Sequence, residues 1–169
     1  ISLDIDTPGV VVDNDINLVE KYVKPAILSS NYILTEMDKT GRQFADVLKD
    51  AQRLGLAEAD PTLDINGGDA GHKLVILSAI AYSGAPDFNN ITLEGIEEIE
   101  PVDLESAKFL GYAVKLIASS IYENGVVRQS VRPSLVAHSN PIAQVDGATN
   151  AVLIEAEPVG TLTFIGSGA

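Results

Sequence analysis

Apolar residues in the first third of the chain recur at steps of three and four, which is typical of amphipathic helices. One such stretch covers residues 29–41 and a second covers 44–54, and a glycine stands at the end of each, where helices commonly terminate. We therefore predict a helical hairpin whose two apolar faces turn to one core. Upstream, residues 1–14 read as extended structure and 15–24 as a short helix stopped by Pro25.

The middle of the chain loses this periodicity over residues 56–71, which contain a proline, two adjacent glycines and several carboxylates. These features predict a long acidic loop. A helix is predicted from about Ala70 to Tyr82, and because it is apolar on most sides, we expect it to be buried. Its predicted inner face comprises Leu74, Leu77, Ile80 and Ala81.

The second half is rich in β-branched and apolar stretches, which predict strands. The predicted strands cover residues 91–96, 113–122, 126–132, 148–155 and 161–165. A helix over 103–110 separates the first two, Asn124-Gly125 predicts a hairpin turn, and Pro133 is expected to break the third strand. Helices followed by strands indicate an α+β fold, with a mostly antiparallel or mixed sheet covered on one face by helices.

Composition and charge exclude several classes of protein. The chain has 169 residues, enough for one domain, and no cysteine, so a thiol nucleophile and a cysteine-based metal site are excluded. With two histidines, we expect no metal site. Eleven Lys and Arg against 24 Asp and Glu give a net charge of −13, which disfavours nucleic acid and anionic membranes. Acidity without cysteine favours a cytoplasmic protein, and no apolar run reaches the ~18 residues of a membrane helix.

Candidate chemistry concentrates where the acidic segment enters the third helix. Asp69 and Lys73 are four residues apart, so both lie on one face of its first turn. A cation near a helix N-terminus opposes the helix dipole, so nearby carboxylates such as Glu58 and Asp64 are expected to hold Lys73 there. A lysine among carboxylates can exchange a proton with a hydroxyl, while the carboxylates bind an ammonium group. The pattern suits a small zwitterionic substrate.

Two plainer interpretations of this segment stay open. The loop can be merely solvated, with Asp69 and Lys73 forming a weak surface ion pair. Residues 64–66 (Asp-Ile-Asn) also begin like a calcium loop. That match fails because Asp69 stands where the loop needs glycine and Val75 where it needs glutamate.

Several stretches together resemble the catalytic domain of the homoserine dehydrogenase family. They are NYILTEM (31–37), AQRLGLAEADPTLDINGGDAGHKLVIL (51–77), EGI (94–96), LGYAVKLIA (110–118), RPSLVAHSNPIAQVDGATNAVLIE (132–155) and GTLTFIGSGA (160–169). The resemblance covers residues 29–169 and identifies them as a catalytic and dimerisation domain. Residues 1–28 form an atypical N-terminal segment. Since the chain starts with Ile1, we expect either a processed terminus or a piece of a longer protein.

The resemblance implies an oxidoreductase that interconverts L-homoserine and L-aspartate 4-semialdehyde with NAD or NADP. That reaction serves threonine, isoleucine and methionine biosynthesis. The resemblance also implies a homodimer and a separate nucleotide-binding domain, and no Gly-x-Gly-x-x-Gly fingerprint or P-loop occurs in this chain. We therefore expect little or no turnover by this chain alone.

The family's functional residues carry over to matching positions. Lys73 matches the lysine proposed as general acid/base, and Asp69 matches the aspartate beside it. Glu58 and Asp64 match carboxylates that hold the substrate. At the edges, Ser29 keeps a substrate-binding hydroxyl, and Gly166 and Gly168 belong to a glycine motif expected to meet the cofactor.

One departure leaves a second function open. Leu28 stands where the family has a glycine that allows close approach. The alternative function is a non-catalytic module, derived from the same domain, that binds an amino acid or assembles with a partner.

Overall fold

Two packed helices begin the described part of the chain. The computed structural model describes residues 26–156, 158 and 160–167, so the elements expected over 1–24 lie outside the described residues. Helix α1 (Ala26–Thr40) and helix α2 (Phe44–Arg53) confirm the predicted hairpin. Gly41 follows α1 with φ +66°, a left-handed conformation that ends the helix at little cost. The main core gathers Ile33, Leu34, Met37, Val47, Ala51, Ala57, Ile96 and Leu104.

The acidic segment is more ordered than the predicted loop. It contains a one-turn helix, α3 (Thr62–Ile65), and the next helix, α4 (Gly68–Ala81), begins two residues earlier than expected. Asp60 precedes α3 and binds its first residue, since its Oδ1 accepts from Thr62 N at 3.2 Å and from Thr62 Oγ1 at 2.6 Å. Gly67 adopts φ +81° and turns the chain directly from α3 into α4. The loop prediction was wrong here because a four-residue helix leaves no periodicity to detect.

The buried face of α4 is rotated from the predicted one. Its buried residues are Gly68, Ala70, Gly71, Leu74, Val75 and Ser78, whereas Leu77 and Ile80 are only half-buried. A Cβ added to Gly71 would lie 2.8 Å from Leu93 Cδ2. Small residues therefore face inward so that α4 can approach the neighbouring strand closely. The predicted face differs because apolar spacing favours large apolar side chains as the buried ones and does not detect small residues at a close contact.

A three-stranded mixed sheet packs against α4. Strand β1 (Ile91–Leu93) runs parallel to β3 (Val126–Ala137), which pairs antiparallel with β2 (Tyr112–Glu123). Helix α5 (Pro101–Phe109) confirms the helix predicted between the first two strands. Asn124 and Gly125 have φ of 53° and 79° and form the predicted hairpin turn. The α+β prediction, with a mixed sheet and covering helices, is confirmed.

Two predicted strand ends were wrong. The strand predicted over 91–96 stops at Leu93, because Ile96 N donates to Ile65 O at 2.8 Å and draws the chain onto α3. Pro133 does not break its strand, since β3 continues to Ala137. The residues of β3 that pair with β1 end at Val131, before Pro133. On that side of β3 no neighbouring strand needs an N–H from Pro133, so the proline is tolerated within the strand.

The chain then forms a separate two-stranded hairpin, which confirms the last two predicted strands. After a 3₁₀ turn (Pro141–Gln144), β4 (Thr149–Ala156) pairs antiparallel with β5 (Gly160–Ser167). Successive strand residues point to opposite faces, and Phe164 and Ile165 are 55% and 57% exposed. Both faces of β5 therefore lie open. Among the described residues, no helix is long and apolar enough to cross a membrane.

Candidate active site

The first turns of α4 bring Asp69 and Lys73 together. Lys73 Nζ lies 3.3 Å from Asp69 Oδ2, as the spacing of four residues predicts. The Lys73 side chain is only 11% exposed, so this is not the fully solvated surface pair of the plainer interpretation. The ammonium group lies at a partly desolvated position beside a carboxylate.

Burial lowers the pKa of Lys73 below its ordinary value. The negative charge of Asp69, its hydrogen bond to Lys73 and the charge of Asp64 oppose that shift. Desolvation is the larger influence, so Lys73 loses its proton more readily than a surface lysine. A lysine whose neutral form is favoured in this way is better suited than a surface lysine to accept a proton and to return it.

Asp64 lies on α3 and organises the acidic segment. Its Oδ2 accepts from the backbone N–H of Glu58 at 2.9 Å, and its carbonyl accepts from Ser30 Oγ at 2.6 Å. Gln52 Nε2 donates to the carbonyl of Glu58 at 3.0 Å. These contacts fold the segment back towards α4. The negative charge of Asp64 is then near enough to Lys73 to oppose part of the lowering of the lysine pKa that burial causes.

The structure gathers the predicted site residues unevenly. Lys73, Asp69 and Asp64 form one cluster, whereas Glu58 is exposed and joins it through its backbone. The side chain of Ser29 lies outside the described residues, and the neighbouring Ser30 is the buried hydroxyl that touches Asp64. No local pattern in the sequence marks Ser30 as a hydroxyl that reaches a residue 34 positions away.

Gly166 lies on β5 opposite Asn150, and Gly168 lies outside the described residues. Gly166 is exposed, and a Cβ added there would meet nothing within 4 Å. The backbone of β5 at Gly166 is therefore open on the side where a side chain would stand. In the described ranges, no group of three or more His, Asp or Glu side chains is arranged to hold a metal ion.

A second buried polar cluster, which the sequence did not predict, lies between α1 and β2. Asn31 and Lys115 are both buried, and each hydrogen-bonds the backbone that leads into β4. A polar residue within an apolar-periodic stretch gives a weak signal of such a role. His72 lies outside both clusters. Its ring packs edge-to-face against that of Phe88, with 5.5 Å between the ring centroids, which indicates a packing role.

Fold and site together define an α+β domain with a partly desolvated lysine beside carboxylates. The chain belongs to the homoserine dehydrogenase family, because the model for that family, described as "Homoserine dehydrogenase", matches residues 26–169. The resemblance read from the sequence is thereby confirmed, and the chain corresponds to the catalytic-type domain.

Relatives and solved structures agree with this membership. The chain is 45% identical over 141 residues to homoserine dehydrogenase of Neisseria gonorrhoeae, covering 83% of this chain and 32% of that protein. The crystal structure of the Staphylococcus aureus enzyme at pH 6.5 has a TM-score of 0.82 and 39% identity, over 86% of this chain and 37% of that one. A mutant hyperthermophilic archaeal homoserine dehydrogenase in complex with NADPH has a TM-score of 0.67 and 30% identity, over 85% and 40%. The chain thus spans about a third of its curated relatives' length.

Proposed function

We propose that this domain supplies the substrate half of an NAD(P)-dependent homoserine dehydrogenase, which interconverts L-homoserine and L-aspartate 4-semialdehyde. The observation that carries this proposal is Lys73, 11% exposed and 3.3 Å from Asp69, with its pKa lowered by burial. This environment suits a base that must be neutral to accept a hydroxyl proton.

Each site residue has a definite task in this reaction. Neutral Lys73 takes the proton from the hydroxyl on C4 of homoserine, and Lys73 as ammonium returns it in the reverse direction. Asp69 orients the amine and stabilises the ammonium that forms. Asp64 and Glu58 bind the substrate ammonium, and Ser29 contributes a hydroxyl at the substrate's edge.

The proposed reaction also needs a nicotinamide nucleotide as hydride acceptor. When bound, NAD or NADP accepts a hydride from C4. Gly166 approaches it through its backbone on β5, and Gly168, from the same glycine motif, is the second proposed cofactor contact. We further propose that residues 29–169 form the catalytic and dimerisation unit, with 1–28 as an atypical N-terminal segment. A homodimer, a separate nucleotide-binding domain and a cytoplasmic location complete the proposal.

Two measurements test the proposal. The first is homoserine oxidation by the full-length gene product, followed through NAD(P)H. We expect Lys73→Ala to lose on the order of 10²–10⁴-fold in kcat, the contribution of a general base. Lys49→Ala is the matched control, because Lys49 is an exposed lysine on α2. Equal activity of the Lys73→Ala and Lys49→Ala proteins would refute the role of Lys73.

The second measurement is calorimetric titration of the 169-residue chain with homoserine, with and without a separately supplied nucleotide domain. Binding together with turnover when both parts are present supports the dehydrogenase. Homoserine binding by the chain without turnover in any mixture would favour a non-catalytic binding module instead. Rapid oxidation by this chain alone would contradict the need for a separate nucleotide domain.

A further inference from the structure

Asn31 on α1 gathers the irregular backbone of residues 145–149, here called the entry segment because it leads into β4. Its Nδ2 lies 3.1 Å from the carbonyl oxygen of Val145, 3.1 Å from that of Gly147 and 2.9 Å from that of Thr149, so its two N–H groups are shared among three acceptors. Asn31 is only 6% exposed. The Val145 carbonyl belongs to a buried residue outside any helix or strand and needs such a partner, and the same amide also binds Gly147 and the first residue of β4.

Lys115 on β2 completes this contact from the other side. Its Nζ donates to Val145 O at 2.6 Å, Asp146 Oδ1 at 3.2 Å and Asn31 Oδ1 at 3.3 Å. The Lys115 side chain is 9% exposed, so its charge depends on these partners. Asn31 and Lys115 therefore bind each other and share the Val145 carbonyl.

Asn31 is the first of three polar residues spaced by four along α1, which places them on one face. Thr35 Oγ1 accepts from Gly147 N at 3.1 Å, and Lys39 Nζ lies 3.1 Å from Asp146 Oδ2. All three residues contact the entry segment. One face of α1 is thus devoted to fixing the start of β4.

The N-terminal half of α1 contacts both the proposed substrate site and the strand pair that carries the proposed nucleotide contact. Ser30, adjacent to Asn31, donates to the carbonyl of Asp64 in the lysine–carboxylate site. On the other side, Thr149, whose carbonyl Asn31 binds, lies opposite Ser167, and the next pair in the register joins Asn150 to Gly166. Adjacent residues of one helix therefore hold the substrate segment and the base of the hairpin that carries the glycine motif.

We propose that Asn31 is a positioning residue that sets the β4–β5 hairpin, and with it Gly166, at a fixed distance from Lys73. The proposal rests on the proposed function, in which Gly166 meets the nucleotide and Lys73 meets the substrate. Phe164 and Ile165, on the two faces of β5, are both exposed within the described residues, so these two side chains do not anchor the hairpin. Misplacement of a reacting partner by about 1 Å can cost a rate on the order of 10²-fold, so a rigid link between the two sites has a clear use.

Asn31→Asp is the sharpest test, because aspartate keeps the shape and the contact with Lys115 but cannot donate to the three carbonyls. Asn90→Asp is the matched control, since Asn90 is exposed and binds only locally to Asp87 among the contacts described. Hydrogen exchange of the 169-residue chain should show amides at the base of β4 and β5 exchanging about 10-fold faster in Asn31→Asp, with α2 amides unchanged. Unchanged exchange at the hairpin base would overturn the proposal.

Kinetics of the full-length gene product separate positioning from simple destabilisation. In Asn31→Asp, the KM for the nicotinamide nucleotide should rise by about 10-fold while the KM for homoserine stays within about 2-fold. A merely structural role would lower the active fraction and leave both KM values alone. If Asn31→Asp fails to fold, Thr35→Val removes one hydroxyl contact to the same segment and should shift the nucleotide KM in the same direction, by less.

The outcomes distinguish this inference from the proposed function. An inactive wild-type enzyme overturns both. An active wild-type enzyme whose Asn31→Asp or Thr35→Val variant keeps its nucleotide KM overturns the positioning role alone. A selective rise in nucleotide KM, absent from Asn90→Asp, supports it.

Discussion

Gly95 offers a quantitative test of how the chain holds the acidic segment in place. A Cβ added to Gly95 would lie 2.6 Å from Asn66 Cα and would also crowd the carbonyl of Ile65. Non-bonded carbon atoms prefer about 3.5–4.0 Å, so Gly95→Ala requires a backbone displacement of about 1 Å. That displacement breaks or weakens the 2.8 Å hydrogen bond from Ile96 N to Ile65 O.

The expected cost follows from these two effects. Overpacking against rigid backbone costs about 1–3 kcal/mol, and a lost backbone hydrogen bond adds about 0.5–1.5 kcal/mol. We therefore expect Gly95→Ala to lower the free energy of unfolding by about 1.5–4.5 kcal/mol. At this chain length each kcal/mol lowers Tm by about 2–4 °C, which predicts a fall of roughly 3–18 °C.

Urea denaturation followed by circular dichroism measures this loss, with Gly84→Ala as the matched control. A Cβ added to Gly84 meets nothing within 4 Å, so its change in free energy should stay within about 0.5 kcal/mol. Gly95→Ala should also reduce kcat/KM for homoserine, because Ile65 and Asp64 both lie on α3 and move together. Equal stability of the Gly95→Ala and Gly84→Ala proteins would refute the reasoning.

Three further predictions concern the site and the sheet. Asp69→Asn removes the negative charge that raises the pKa of Lys73 and leaves only a neutral acceptor for its hydrogen bond, so that pKa falls further. Because Lys73 must be neutral for oxidation, the rising acid limb of the kcat/KM–pH profile should move to lower pH; movement to higher pH would contradict the assignment. Asp64→Asn should raise the KM for homoserine about 10-fold in steady-state assays, and an unchanged KM would remove Asp64 from substrate binding. Gly125→Ala, at φ 79°, should cost about 1 kcal/mol in urea titration, and no loss would contradict the left-handed turn.

Local features of the sequence sufficed for much of the fold. The α1–α2 hairpin follows from apolar spacing and terminal glycines, and the Asn124-Gly125 turn follows from the positive φ that its two positions require. The pair of Asp69 and Lys73 follows from helix geometry. Each of these depends on residues close together in sequence.

The failures involve residues that are distant in sequence. The end of β1 depends on Ile65, and the inner face of α4 depends on Leu93 packing against Gly71. The same holds for the site, where Ser30 reaches Asp64 and Asn31 reaches the entry segment. Periodicity cannot show such contacts, because they are fixed only when the whole core packs.

The contact between Asn31 and the entry segment also bears on the order in which the chain folds. Asn31 and Val145 are 114 residues apart, whereas the β2–β3 hairpin closes through a two-residue turn. Contacts between neighbouring residues form early, and those that close long loops form late. At about 5–20 residues per second, a ribosome adds residues 32–145 in roughly 6–23 s, and until then Asn31 lacks these carbonyl partners. The base of the β4–β5 hairpin is therefore completed after the β2–β3 hairpin, and Asp146, the carboxylate partner of Lys115, is synthesised 31 residues after it.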